Sequence, residues 1–387
     1  MFNIEHLLFF SILFFLSFVL TLFPSKDYEK NFWKTVSFFI IAYTIIVGLR
    51  EGWGHDYYRY EFAFNTLETD YSYDYDIAFW NFYRIVKAFG MPFSVWLVIS
   101  TLTIIVSYFH IVKAMKGDKY MLMLFLPATI TITTYAIRQF QAIAYINIAI
   151  GLLLFSEQLL KRKKLCIIIS ILLLQLAYHT HASSIIYAIP FLLFISYQKA
   201  NALPYKVTII AYLGCIVFSG IINAVLSDTI LNAIQNITVT DHLQGYIDHA
   251  EGRVLGLEAA DEATYSYGGA FQIFHYIAYI ALLYVTGRAL KIAPNKNVTI
   301  IYNIVVVALL LQEVFFAQEM MRRIIEPFFI LYFIPLGYAI NIFIQYKNKH
   351  FKGYQFYGMC ILLVLLRIYY PMYPFLTSFK LAGFVWD

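Results

Sequence analysis

Four short stretches of this chain carry side chains able to do chemistry. The densest is Gly48-Leu49-Arg50-Glu51-Gly52-Trp53-Gly54-His55-Asp56-Tyr57-Tyr58-Arg59-Tyr60. Arg50 and Arg59 are suited to hold an anion, and Asp56 or His55 to orient or deprotonate a hydroxyl. Trp53, Tyr57 and Tyr60 offer faces on which sugars stack, and Gly52 and Gly54 let the backbone turn tightly. The competing reading is an interfacial aromatic belt with a glycine turn. In Ala136-Ile137-Arg138-Gln139-Phe140-Gln141-Ala142, Arg138 and Gln141 share one helical face. Arg138 suits a phosphate and Gln139 and Gln141 suit sugar hydroxyls, against the alternative of an arginine snorkelling at a helix end. In Tyr178-His179-Thr180-His181-Ala182-Ser183-Ser184, His181 is a candidate general base or a donor to a phosphate. It also reads as a structural histidine bonding the carbonyls of a broken helix. A zinc site does not fit, because the two histidines are two residues apart and no third ligand follows at a recognised spacing. Last, Gln318–Phe328 holds Arg322 and Arg323 ahead of Glu326, a spacing that suits either an anion site or an internal ion pair.

These residues are set in an apolar chain. Of 387 residues, 61% are hydrophobic, 19% aromatic and 13% charged, and the mean hydropathy is +0.68. A soluble domain carries about 25% charged residues, so a soluble enzyme and a water-soluble nucleic-acid binder are excluded, despite a pI near 8.8. Cys166, Cys215 and Cys360 lie in apolar runs and suggest neither a disulfide framework nor a metal motif.

Runs of about 20 apolar residues read as helices crossing a hydrocarbon core roughly 30 Å thick. They fall at about 5–22, 33–49, 93–113, 120–136, 138–160, 165–179, 182–198, 204–226, 270–290, 297–317, 323–345 and 354–370. The expected architecture is therefore an all-α integral membrane protein with about 12 transmembrane helices. It forms a single polytopic domain over 1–387, with external loops at about 50–92 and 227–269. The first run reads as a span, since it lacks the basic start and small-residue cleavage site of a signal peptide. The spans at 120–136, 165–179 and 182–198 are short, which suggests tilted or broken helices around a polar site. Within 50–92, apolar residues recur at helical spacing in Tyr57–Leu67 and Ile77–Phe89, the pattern of two amphipathic surface helices.

Lysines at 26, 30, 34, 113, 116, 119, 161, 163, 164, 199, 206, 291, 296, 347, 349 and 352 fall on one side of this topology, the cytoplasmic side by the positive-inside rule. Both long loops and both termini then lie outside, and the loops are acidic: Asp56, Glu61, Glu68, Asp70, Asp74 and Asp76 in one, Asp241, Asp248, Glu251, Asp261 and Glu262 in the other. Arginine behaves differently. Arg50, Arg59, Arg84, Arg138, Arg253, Arg322, Arg323 and Arg367 lie outside or near the outer face, leaving Arg162 and Arg288 within. Topology treats lysine and arginine alike, so a separate preference for guanidinium acts on the outer side. Guanidinium stays charged when desolvated and binds phosphate or carboxylate bidentately. The outer arginines therefore either pair with the loop carboxylates or hold an anionic ligand, above all a lipid phosphate or diphosphate.

With these motifs the chain resembles the EpsG/Wzy-like family of bacterial polysaccharide polymerases. The resemblance rests on Arg50…Gly54-His55-Asp56…Tyr60, Arg138-Gln139, His181-x-Ser183 and Arg323-Ile324, in order over about 1–350. It departs where the family often has a Tyr-Phe pair after its late arginine, and this chain has Glu326-Pro327-Phe328-Phe329. The resemblance implies a helical membrane glycosyltransferase of the GT-C-like type in the bacterial inner membrane. It would join undecaprenyl-diphosphate-linked oligosaccharide repeat units, as donor and acceptor, on the periplasmic or extracellular side. The pathways would be those of O-antigen, capsule or exopolysaccharide. In that scheme Arg50, Arg59, Arg138, Arg322 and Arg323 bind diphosphate, while Asp56 or His181 acts on the acceptor hydroxyl. Trp53, His55, Tyr57, Tyr60, Gln139 and Gln141 line the sugar subsite. No metal or cofactor is called for. The partners are lipids, with a chain-length regulator and a flippase as candidate protein partners and no nucleic acid. Rival readings are a lipid-linked oligosaccharide flippase, an O-antigen-ligase-like enzyme, and a membrane acyltransferase. The last is disfavoured because no aspartate neighbours His179 or His181 in sequence.

Overall fold

The computed structural model describes residues 4–23, 30–50, 57–66, 76–154, 163–196, 201–236, 269–315 and 319–369. Among them the chain is all-helical, without strand. In chain order the helices are α1 (Ile4–Val19), α2 (Phe32–Gly48), α3 (Tyr57–Thr66), α4 (Ile77–Ala88), α5 (Phe93–Ala114), α6 (Lys119–Tyr135), α7 (Ile137–Leu154) and α8 (Lys163–Thr180). Then follow α9 (Ile185–Ser196), α10 (Tyr205–Asn236), α11 (Gly269–Ile292), α12 (Lys296–Val314), α13 (Glu319–Ile330), α14 (Phe333–His350) and α15 (Tyr354–Tyr369). Short 3₁₀ turns lie at Leu20–Leu22 and Ala182–Ser184.

Among the described residues, four stretches can cross a membrane by length and composition: Phe93–Ala114, Gln272–Ile292, Lys296–Val314 and Met321–His350. Seven further apolar helices are shorter. The late stretch is not the single straight helix expected over 323–345. Pro327 sits inside α13, where it removes an amide donor, and the chain turns at Leu331-Tyr332 before α14. The turn is closed by the Tyr332 amide donating to the Phe329 carbonyl at 2.9 Å.

The bundle packs through rings. Phe39 of α2 stacks on Phe109 of α5, and Phe125 of α6 meets Tyr108, Phe109 and Phe333 at centroid distances of 5.2 to 5.8 Å. Helix ends are closed by side chains. Asp118 accepts from the Tyr120 and Met121 amides at the start of α6, and Asn295 from the Asn297 and Val298 amides at the start of α12.

Two helices approach where only glycine fits. A Cβ on Gly337 of α14 would stand 2.5 Å from the Met121 amide nitrogen of α6, against backbone that cannot swing aside. Gly337→Ala is expected to cost about 1–3 kcal/mol, read as a lower melting temperature in detergent. Gly358→Ala, whose Cβ would meet only the Phe343 ring at 3.6 Å, is expected to melt at or above wild type. Equal melting of both variants would show that α6 and α14 are not held this closely.

Helices α3 and α4 lie within one residue of the two amphipathic segments expected. With the start of α5 they form a second core of Tyr57, Tyr60, Phe64, Phe79, Trp80, Tyr83, Phe93 and Trp96, together with Ile137 of α7. Lys87 Nζ donates to the Phe64 and Asn65 carbonyls and ties the end of α4 to the end of α3. This aromatic platform fixes the start of α4 above the start of α7.

Candidate functional site

Two interruptions in the helical pattern place the polar residues. Ala136 breaks the apolar run between α6 and α7, which puts Arg138 in the first turn of α7. At His181 the backbone is extended (φ −163°, ψ 100°), ending α8 before the 3₁₀ turn and α9. The third contribution comes from Asp76, at the start of α4. Its backbone is left-handed (φ 53°), a conformation that aspartate tolerates better than most residues. Asp76 stands where a helix cap is expected, yet its side chain makes no capping bond.

The carboxylate points instead into a buried junction, where its side chain is 8% exposed. Its Oδ2 lies 3.0 Å from Arg138 Nη1 and 3.6 Å from His181 Nδ1. The other imidazole nitrogen, Nε2, is 3.0 Å from Ser183 Oγ. The Arg138 guanidinium also sits 5.9 Å from the Phe79 ring centroid, so the aromatic platform supports its position. Next to Arg138, Gln139 Nε2 donates to the Arg323 carbonyl at 3.0 Å, tying α7 to α13. Arg322 and Arg323 have exposed side chains. Packing of Phe328 of α13 on Tyr187 of α9 (5.0 Å) closes the assembly below.

The structure thus brings Arg138, His181, Gln139 and Arg323 together. It places the other expected site residues differently. Tyr57 and Tyr60 are buried in the aromatic core, Tyr57 against Phe93 and Tyr60 against Phe79 and Trp96, so packing occupies the rings expected to face a sugar. Gln139 is engaged with the Arg323 backbone, and Gln141 is buried and donates to Tyr145 Oη. Arg50 is buried at the end of α2, with its Nη1 donating to the Val47 carbonyl. Burial pushes its guanidinium down to about 10, still protonated at neutral pH. Arg59 is exposed on α3. Trp53, His55 and Asp56 lie outside the described residues.

Asp76 is the residue that sequence reading passed over, as one acidic loop residue among several. It also corrects the argument that His181 lacks an aspartate: the partner comes from a distant element. The available signal was an aspartate directly ahead of an amphipathic helix.

A second polar cluster joins α10, α11, α12 and α15. Tyr212 Oη donates to Glu313 Oε1 at 2.9 Å, and His275 Nε2 lies 4.0 Å from the same oxygen. Arg367 Nε donates to His275 Nδ1 at 2.8 Å, and its guanidinium covers the Tyr279 ring at 5.5 Å. Phe329 of α13 packs on Tyr279 (5.3 Å), so α13 lies between the two clusters. Glu313→Ala leaves the buried Tyr212 hydroxyl without its acceptor and His275 without the carboxylate beside it. A loss of about 1–3 kcal/mol is expected, read as aggregation at lower temperature during size-exclusion chromatography of heated samples. Glu313→Gln, which keeps the acceptor for Tyr212, is expected to lose less. Equal, small losses in both would show that the cluster carries little of the fold's stability.

Compared with known proteins, residues 33–377 match a family model, that of the EpsG family. No curated protein and no solved structure matches.

Proposed function

Since the chain belongs to the EpsG family, we propose that it is a polysaccharide polymerase of the bacterial inner membrane. It joins oligosaccharide repeat units carried on undecaprenyl diphosphate at the outer face of that membrane. Twelve crossings then place both long loops, and the junction of Asp76, Arg138 and His181, on the periplasmic or extracellular side. The bundle is that of a GT-C-like glycosyltransferase.

In this reading the donor is a glycan on lipid diphosphate and the acceptor a hydroxyl of a second lipid-linked unit. The acceptor oxygen forms a bond to the donor's anomeric carbon as the bond from that carbon to the diphosphate oxygen breaks. The diphosphate departs with the electron pair. It is a good leaving group, so the protein's main task is to meet the charge that develops on it. Arg138, Arg323 and Arg322 supply that charge, with Arg50 and Arg59 behind them. The acceptor's proton passes to the imidazole of His181. Asp76 holds the Nδ1 side of the ring, which leaves Nε2 as the basic nitrogen. Lipids, a chain-length regulator and a flippase are the expected neighbours in the membrane.

The observation that carries the reading is the shared Asp76 carboxylate, which pairs with a guanidinium at 3.0 Å and faces an imidazole at 3.6 Å at one helix junction. The test is a gel of surface and lipid-linked glycans from a host lacking this chain, with and without the wild-type copy. A polymer ladder that collapses to a single exported repeat unit in the deletion supports a polymerase. Loss of the single unit as well, with lipid-linked repeat trapped inside, would replace it with a flippase.

A further inference from the structure

We propose that Ser183 is a catalytic residue of this site, the hydroxyl through which the acceptor sugar's proton reaches His181. The inference rests on the glycosyl-transfer reading above. Its warrant is a row of groups: the Asp76 carboxylate 3.6 Å from Nδ1 of the imidazole, and Ser183 Oγ 3.0 Å from Nε2. A carboxylate that orients a base, which in turn contacts a hydroxyl, is the arrangement by which proteins activate hydroxyl groups.

The protonation pattern follows from the partners. The Asp76 carboxylate on the Nδ1 side of the ring favours the tautomer with its proton on Nδ1, in which Nε2 presents a lone pair. Ser183 then donates its O–H to Nε2, which leaves the serine oxygen's own lone pairs to accept a proton from outside. Two neighbouring serines divide the roles. Ser184 is buried, its Oγ 3.5 Å from the Gln139 carbonyl, whereas the Ser183 side chain is exposed. The 3₁₀ turn keeps Ser183 beside the ring, since the Ser184 amide donates to the His181 carbonyl at 2.9 Å.

The step balances as follows. The acceptor hydroxyl proton moves to Ser183 Oγ while the serine proton moves to His181 Nε2. The acceptor oxygen bonds to the anomeric carbon, and the carbon–oxygen bond to the diphosphate breaks with its electron pair on the departing group. The imidazolium then returns its proton to water. Ser183 ends the cycle unchanged and forms no covalent intermediate.

The test uses the full chain purified into lipid nanodiscs, with lipid-linked repeat units extracted from a polymerase-deleted host. For Ser183→Ala the expected result is a fall in kcat of about 100-fold, with KM within about twofold of wild type and unchanged melting temperature. Ser183→Thr, which restores a hydroxyl, is expected to recover kcat to within about tenfold of wild type. Ser184→Ala is expected to leave kcat near wild type. Undiminished or faster turnover by Ser183→Ala would overturn the relay and leave Ser183 as a cover over the imidazole. Covalent labelling of Ser183 by a fluorophosphonate in the active protein would also overturn it, in favour of a nucleophile. If wild type makes no polymer from this substrate, the glycosyl-transfer reading falls and the relay with it.

Discussion

Arg138→Lys is expected to lower polymer formation about 100- to 1,000-fold, the size of effect seen when one preorganised donor to a developing negative charge is removed. The reason is geometric as well as electrostatic. Arg138 already directs Nη1 at Asp76 from 3.0 Å, and its guanidinium lies 5.9 Å from the Phe79 ring centroid. Lysine keeps the charge and loses the fork, so it serves Asp76 or the leaving diphosphate but not both in one geometry. Arg323→Lys is expected to act in the same direction, since α13 is held against α7 by the bond from Gln139 to the Arg323 carbonyl, which lysine preserves. The measurement is the glycan ladder of complemented strains at matched protein levels. Wild-type chain length in both lysine variants would sink the arginine clamp.

Asp76→Asn is expected to cost roughly 1,000-fold in turnover, because loss of a buried orienting carboxylate leaves a catalytic imidazole in the wrong tautomer. Asparagine is the informative replacement. It matches aspartate in shape and tolerates the left-handed backbone at φ 53°, so the start of α4 should remain in place. What is removed is the negative charge shared by Arg138 and His181. Protein yield and melting temperature are therefore expected near wild type while turnover collapses. Turnover within tenfold of wild type would mean that Asp76 is a structural partner of Arg138 alone.

The sequence already contained the helices around this site, and the breaks between them. The interruption before Arg138 and the knot at His181 stand out because polar residues there cut apolar runs. The segments expected at Tyr57–Leu67 and Ile77–Phe89 appear as Tyr57–Thr66 and Ile77–Ala88. Their aromatic residues were ambiguous by type alone. Tyr57, Tyr60 and Phe64 share one helical face, and that periodicity favours burial in a core over stacking on a sugar. Hydropathy did not divide α13 from α14, because Pro327 and the turn at Leu331-Tyr332 lie inside a run that stays apolar throughout.

Other pairings had no local sequence signal. Asp76 stands out only as an aspartate directly ahead of an amphipathic helix, and it meets Arg138 and His181 only after α4 packs on α8. Glu313, His275 and Arg367 lie in three separate apolar runs, and only the bundle brings them to one place. The fold writes its chemistry at such meetings between distant elements, which composition and spacing along one helix do not encode.

The most direct test of the central claim follows the lipid carrier itself. Purified wild-type protein in nanodiscs is given lipid-linked repeat units, and products are read by mass spectrometry. The expected result is one free undecaprenyl diphosphate for each new glycosidic bond, with both products lost together in Arg138→Lys. Unchanged substrate, with the same protein in sealed vesicles moving the lipid-linked unit between leaflets, would contradict a glycosyl-transfer centre at Asp76, Arg138 and His181.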